Sequence, residues 1–231
     1  VVFLYFYSKL ESLHIKNLLR VGLLFQLLLL KKMEQSLSQK GIVLTDIYKS
    51  NRVNEKSTTQ SIIESILDED LRVNKALEPF FHPDINTSNG TLPFLPRLVQ
   101  IISVTNIAQP TRRQDQDSFP RLLCIKMTDG YTKAIAIEYE AIKGISAANT
   151  YPGSKILLNP PNKNNNNKNP IPIRNGKILL TSKDFVFIGG HVESLYDTWQ
   201  ANKTALKLRF LDIKTGNKGK SIDAPPAFEK S

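Results

Sequence analysis

PRLLCIKMTDG, residues Pro120–Gly130, decides the fold. It is a short apolar run bounded by a proline and an Asp-Gly pair, so Arg121–Thr128 reads as a strand and Asp129-Gly130 as a two-residue hairpin turn. The stretch that follows alternates: Ala134, Ala136 and Glu138 fall on one face of Thr132–Glu138, and Lys133, Ile135 and Ile137 on the other. Upstream, Leu98–Ile107 is rich in Val and Ile and predicts a first strand, which the polar stretch Gln109–Pro120 ends. Downstream, Pro152-Gly153 turns into a strand at Ser154–Leu158. Asn175-Gly176 marks a hairpin between Ile171–Arg174 and Lys177–Thr181. FVFIGGHVESLYDTW, Phe185–Trp199, carries a last strand through Gly189-Gly190 into a helix over His191–Leu211, with Val192, Leu195, Tyr196 and Trp199 on one face. A short helix is expected at Tyr139–Ile145.

The region before the strands has helical spacing. Glu34–Lys40 predicts a helix ended by Gly41, and Thr45–Ser50 a second turn. Ser57 or Thr58 caps a third helix, whose stripe Ile62, Ile63, Ile66 and Leu67 extends to Leu71. Asp68, Glu69 and Asp70 lie near its far end, against the macrodipole, so fraying is expected around Leu71–Arg72. The organisation expected is a three-helix unit at 33–82, a proline-punctuated connector at 83–97, and a barrel with its closing helix at 98–211. Five or six short strands with a helix inside the series and another at its end suit an α+β, mostly β chain built on an OB-fold, a generic small β-barrel being the alternative. The Asn-rich run 159–170 reads as a surface insertion and 212–231 as a disordered tail.

The 231 residues carry a formal charge of +10. Two readings of that excess stand: attraction to acidic partners such as nucleic acid, or simple solvation. Five of the cations, Lys9, Lys16, Arg20, Lys31 and Lys32, stand against Glu11 in residues 1–32. That segment contains VVFLYFY and an apolar run at Val21–Leu30, which is too short to cross a bilayer. Met33 opens a polar amphipathic sequence and reads as the natural start; an anchor or targeting segment is the competing reading of 1–32. The single cysteine, Cys124, lies in an apolar strand and reads as packing. With no second cysteine, no intrachain disulfide forms. His14, His82 and His191 lack neighbours at ligand spacing, so no metal or other cofactor is expected. No nucleophile accompanies Asp129 and Glu138, and no phosphate-cradling glycine loop is present, so catalysis is not expected.

Several stretches in order resemble one family. Asp70-Leu71-Arg72, LVQIISVTNIAQP (98–110), Pro120–Gly130, AIEY (136–139), PGSK (152–155), NGKILL (175–180), IGGHVESL (188–195) and Trp199 resemble the amino-terminal region of the Tudor domain-containing protein 3 family. They are similar, more distantly, to the RecQ-mediated genome instability protein 1 family. The resemblance implies a three-helix unit followed by an OB-fold. It also implies a non-enzymatic nuclear and cytoplasmic scaffold that binds a type IA topoisomerase, topoisomerase III beta, and supports DNA and RNA topology and R-loop removal. The family's loop between the first two barrel strands reaches toward the topoisomerase gate. Here that loop matches Ala108–Pro120.

The loop has residue types suited to docking. Pro110 and Pro120 restrict both ends, which lowers the ordering cost on binding. Arg112 and Arg113 place two charges near its tip, offset by Asp115 and Asp117. Ile107 and Phe119 flank its base. Two readings of Phe119 stand: an anchor for a partner groove, or a cover for the barrel end. The partner-binding set is thus Ile107, Pro110, Arg112, Arg113, Phe119 and Pro120. A nucleic-acid set of Arg112, Arg113, Tyr131 and Lys133 follows from the alternative, an autonomous single-strand binder.

Overall fold

A computed structural model describes residues 28, 31–52, 57–159 and 170–214. The Asn-rich run from 160 to 169, most of segment 1–32 and the tail from 215 onward lie outside the described residues.

Four helical segments come first. They are α1 (31–39), α2 (Asp46–Arg52), α3 (Thr59–Asp68) and α4 (Leu71–Asn74). Thr58 caps α3: its hydroxyl accepts the Ser61 N–H at 3.1 Å, while the Thr58 N–H donates to Ser61 Oγ at 3.0 Å. The expected stripe through Leu71 is corrected here. Helix α3 stops at Asp68, because Asp70 turns to cap a new segment by accepting the Arg72 N–H at 3.0 Å. Leu71 is still fully buried, but as the first residue of α4. Leu37, Leu44, Tyr48, Ile62, Ile66, Leu71 and Leu77 form a helical core, and Leu98 of the first long strand belongs to it.

Eight strands follow: β1 (Gly90–Thr91), β2 (Arg97–Asn106), β3 (Leu123–Thr128), β4 (Lys133–Glu138), β5 (Lys155–Leu158), β6 (Pro172–Arg174), β7 (Lys177–Leu180) and β8 (Phe185–Gly189). Their order is β1-β6-β7-β4-β3-β2-β5-β8. β7 and β8 lie far apart in that order, yet only four residues join them. The sheet must therefore curl until its two sides meet, as expected of an OB-fold. Helix α5 (Glu193–Lys214) ends the described chain. The barrel interior is filled by Val99, Ile101, Ile125, Met127, Ala134, Ala136, Ile156 and Ile178, among others. Ala134, Ala136 and Glu138 are the buried face of β4, as the alternation indicates. Residues Ile85 and Leu92, in the stretch read as a connector, are buried in this same core.

Two local expectations are corrected. Thr128 pairs with Lys133, so the β3–β4 connection is a four-residue loop rather than a two-residue turn. Asp129 explains it: Oδ1 accepts the N–H groups of Tyr131 and Thr132, and Oδ2 those of Phe80 and Phe81, at 2.7–2.9 Å. The second correction is the helix expected at 139–145, where the chain only bends. Glu138 accepts the Ile142 N–H at 2.8 Å, and Arg121 donates to the carbonyls of Ile142 and Ile145. Side chains thus satisfy backbone groups that a helix would otherwise pair.

The helices dock on the barrel through polar contacts that are themselves buried. Lys155, fully buried, donates from Nζ to Leu67 O at 2.9 Å and Glu69 O at 2.8 Å, which closes the C-terminal end of α3 with a cation. Gln100, also fully buried, accepts the Leu71 N–H and donates to Asp70 Oδ1. Lys75 donates to Gly130 O, and its ammonium lies 4.5 Å from the Tyr131 ring centroid. The three carboxylates that oppose the α3 dipole favour the charged form of the buried Lys155 ammonium.

Candidate docking site

The loop between β2 and β3 is shaped by two buried amides. Asn106, the last residue of β2, is fully buried. Its Nδ2 donates to the carbonyls of Gln116, Ser118 and Pro120 at 3.1–3.3 Å. Its Oδ1 accepts from Leu122 N at 3.0 Å and Ala108 N at 3.3 Å. Gln109 Nε2 donates to Pro120 O at 2.8 Å and to Ser118 O at 3.3 Å. A single asparagine thus ties both arms of the loop, using two donors and a two-lone-pair acceptor. Between the arms a 3₁₀ turn spans Thr111–Arg113.

The outer arm is held from outside as well. Asp117 accepts the Ala147 N–H at 2.9 Å and the Ser146 hydroxyl. Arg121, at the loop's exit, reaches Glu138 at 2.9 Å, and Glu138 also accepts the Leu123 N–H. The loop is a built structure, and the Asn106 and Gln109 amides at its neck are buried and bonded to its own backbone.

Apolar groups are exposed on the loop's outside. Phe119 is 94% exposed, which overturns the reading in which it covers the barrel end. Ile107 is 44% and Leu122 37% exposed, and the Ile107 N–H donates to Leu122 O at 2.9 Å. Pro110, Arg112, Arg113 and Pro120 are all exposed on the same loop. The partner-binding set therefore comes together on one element.

The nucleic-acid set does not. Arg112 and Arg113 follow the end of β2, at the start of β3, whereas Tyr131 and Lys133 follow the end of β3. The six residues of β3 separate them by on the order of 20 Å. Tyr131 stands over Lys75 beside the helical unit, and the Lys133 carbonyl accepts from Asn86 Nδ2 at 2.7 Å. Trp199 is half-buried, in a ring cluster with Tyr151 and Tyr196 and with Lys203 Nζ 4.2 Å from its centroid.

Sequence reasoning passed over Asn106, Gln109 and Ser146, and read Asp117 only as a charge offsetting the arginines. Asn106 carried the one available signal, a polar amide ending a Val/Ile-rich strand just before a loop.

Comparison with known proteins bears on the fold. The family model described as RMI1, N-terminal OB-fold domain, matches residues 116–203. The chain is 28% identical over 180 residues to Tudor domain-containing protein 3 of Danio rerio, covering 76% of this chain and 23% of that protein. It is 33% identical over 141 residues to the Xenopus tropicalis protein of that name, covering 61% and 18%. RecQ-mediated genome instability protein 1 of Danio rerio is 31% identical over 94 residues, covering 41% and 16%. The chain spans less than a quarter of the length of these curated relatives. Residues 116–203 thus carry an OB-fold domain of the RMI1 amino-terminal type, on a chain similar to Tudor domain-containing protein 3.

Proposed function

We propose that the chain is a non-enzymatic scaffold or regulatory subunit that docks on a type IA topoisomerase, topoisomerase III beta, through the loop at 107–122. In that role it supports DNA and RNA topology and R-loop resolution, in nucleus and cytoplasm. The observation that carries the reading is Phe119, 94% exposed on a loop whose neck is fixed by the buried amides of Asn106 and Gln109. An exposed aromatic on a preorganised loop costs little entropy to seat in a groove. Arg112 and Arg113, exposed on the same loop, steer an acidic partner surface and act mainly on the association rate. The names of the relatives, one of them a genome instability protein, support a place in genome maintenance. An autonomous single-strand binder needs cations and stacking rings along one groove. The two ends of β3 divide them here.

The test is retention of topoisomerase III beta by the immobilised chain at moderate and high salt, with Phe119→Ala alongside. Retention at both salts is expected from the wild type, with affinity lowered about thirtyfold or more in the variant, as for an interface anchor. A folded Phe119→Ala protein with wild-type affinity rules the loop out as the dock. Binding only to single-stranded oligonucleotide, lost steeply with salt, rules in the nucleic-acid module instead.

A further inference from the structure

We propose that helix α5 positions the docking loop through a continuous relay that starts at Lys203 and ends at Asp117, two residues before Phe119. Lys203, one turn past the ring cluster, donates from Nζ to Ala148 O at 2.6 Å. Trp199, one turn back, flanks that ammonium at 4.2 Å and holds the side chain in place. The Ala148 carbonyl belongs to a tight turn at 146–150. In it, Ser146 Oγ accepts the N–H groups of Ala148 and Asn149, Ser146 N donates to Thr150 Oγ1, and Thr150 N donates to Ser146 O. The same turn offers the Ser146 hydroxyl and the Ala147 N–H to Asp117.

The direction of influence follows from what each end is tied to. Asp117 has no regular structure around it, whereas α5 is tied to the barrel by buried Val192, just before its first turn, and by the ring contact of half-buried Trp199 with half-buried Tyr151. Asn106 and Gln109 fix the loop's neck, since their partners are the backbone at 116, 118 and 120. The Asp117 side chain fixes its outward arm. Lys203 is therefore a positioning residue, which never touches the partner but sets where Phe119 stands. It rests on the docking reading only for its consequence in binding, because the relay itself is a property of the free chain.

Hydrogen exchange of the free chain, read over 108–120, tests the relay directly. Lys203→Met is expected to speed exchange there about tenfold, the scale of one charged hydrogen bond, and Lys203→Arg to restore it. Asp117→Asn should do the same, and adding Lys203→Met to it should change nothing further, because both break one chain of contacts. Gln200→Ala removes a different side-chain bond on the same helix, to Tyr196, and should leave the loop unaffected. Wild-type loop exchange in Lys203→Met overturns the relay, as does additive loss in the double variant. Equal loosening in Gln200→Ala also overturns it, since any slackening of α5 would then suffice. Topoisomerase affinity is measured in parallel. If the loop loosens but neither Lys203→Met nor Phe119→Ala weakens binding, the relay stands and the docking reading falls.

Discussion

Gly130 sits at φ +101°, and a Cβ placed on it would lie 2.6 Å from the carbonyl oxygen of Leu71. Backbone strain and collision therefore act together, and Gly130→Ala is expected to cost about 3 kcal/mol or more. Gly144, at φ +89°, has nothing within 4 Å of such a Cβ, so Gly144→Ala should cost only the strain, about 1 kcal/mol. Urea unfolding of the two variants separates the terms, and equal losses would mean that the approach of α4 to the β3–β4 loop is unimportant. Asn106→Asp is the sharper residue-scale test of the loop. It keeps the shape and the acceptor but removes the donations to three carbonyls and buries a charge, so a loss of about 3 kcal/mol or more is expected in the same assay. A variant as stable as wild type would remove Asn106 from its place at the neck. The two polar residues differ in how far the sequence reveals them. Asp129 was legible as a turn former because Tyr131 and Thr132, two of its four partners, lie within three residues. Its reach to Phe80 and Phe81 was not legible, nor was the role of Asn106, because carbonyls ten to fourteen residues away come to it only when the loop closes.

At the scale of elements, α3 and β5 meet at one ammonium. Burial pushes the Lys155 pKa down from its ordinary 10.5 to about 8, against the pull of Asp70, Asp68 and Glu69, which favour the charged form. Between about pH 8 and 10.5 the unfolded chain then holds the proton more tightly than the folded one, so the stability from this group rises with pH across that window. A drop of this size corresponds to about 3 kcal/mol. The unfolding free energy of wild type minus that of Lys155→Met is expected to grow by up to that amount from pH 8 to 10.5, and a flat difference would show that the lysine keeps its ordinary titration when folded. Asp70 works at the acid end. Burial pushes its pKa up, but hydrogen bonds from the Arg72 side chain and backbone and from Gln100 outweigh this and hold the carboxyl below its ordinary 3.8. Its stabilisation is present above the unfolded value and is lost as pH falls through the folded one. Elements with local signals were read well: the Thr58 cap, the β4 alternation and the Asn175-Gly176 hairpin all stand where the pattern puts them. The missed helix at 139–145 and the break at Asp68 share a cause. In each, a local carboxylate (Glu138, Asp70) takes a nearby backbone N–H, and a cation from far along the chain (Arg121, Lys155) takes the carbonyls, which residue spacing does not encode.

For the whole molecule, the boundary drawn near residue 83 divides a sequence more cleanly than it divides the folded chain. Leu98 of β2 is packed among helical residues, while Phe81, Ile85 and Leu92 are packed in the barrel. Lys155 and Gln100 would each lose their partners if the helices left. Exposing one face of such a junction costs apolar burial and polar pairing at once, an appreciable share of the 5–15 kcal/mol that ordinarily holds a domain together. The chain is therefore expected to unfold in one cooperative step from helices to α5, with calorimetric and van't Hoff enthalpies that agree. A fragment beginning at residue 83 is expected to melt well below the intact chain or not to fold. Two resolved transitions, or a fragment with the melting temperature of the whole, would show that the helices are an independent appendage. That outcome would also confine any docking function to the barrel, whereas a single transition makes the loop at 107–122 sensitive to substitutions as remote as α3.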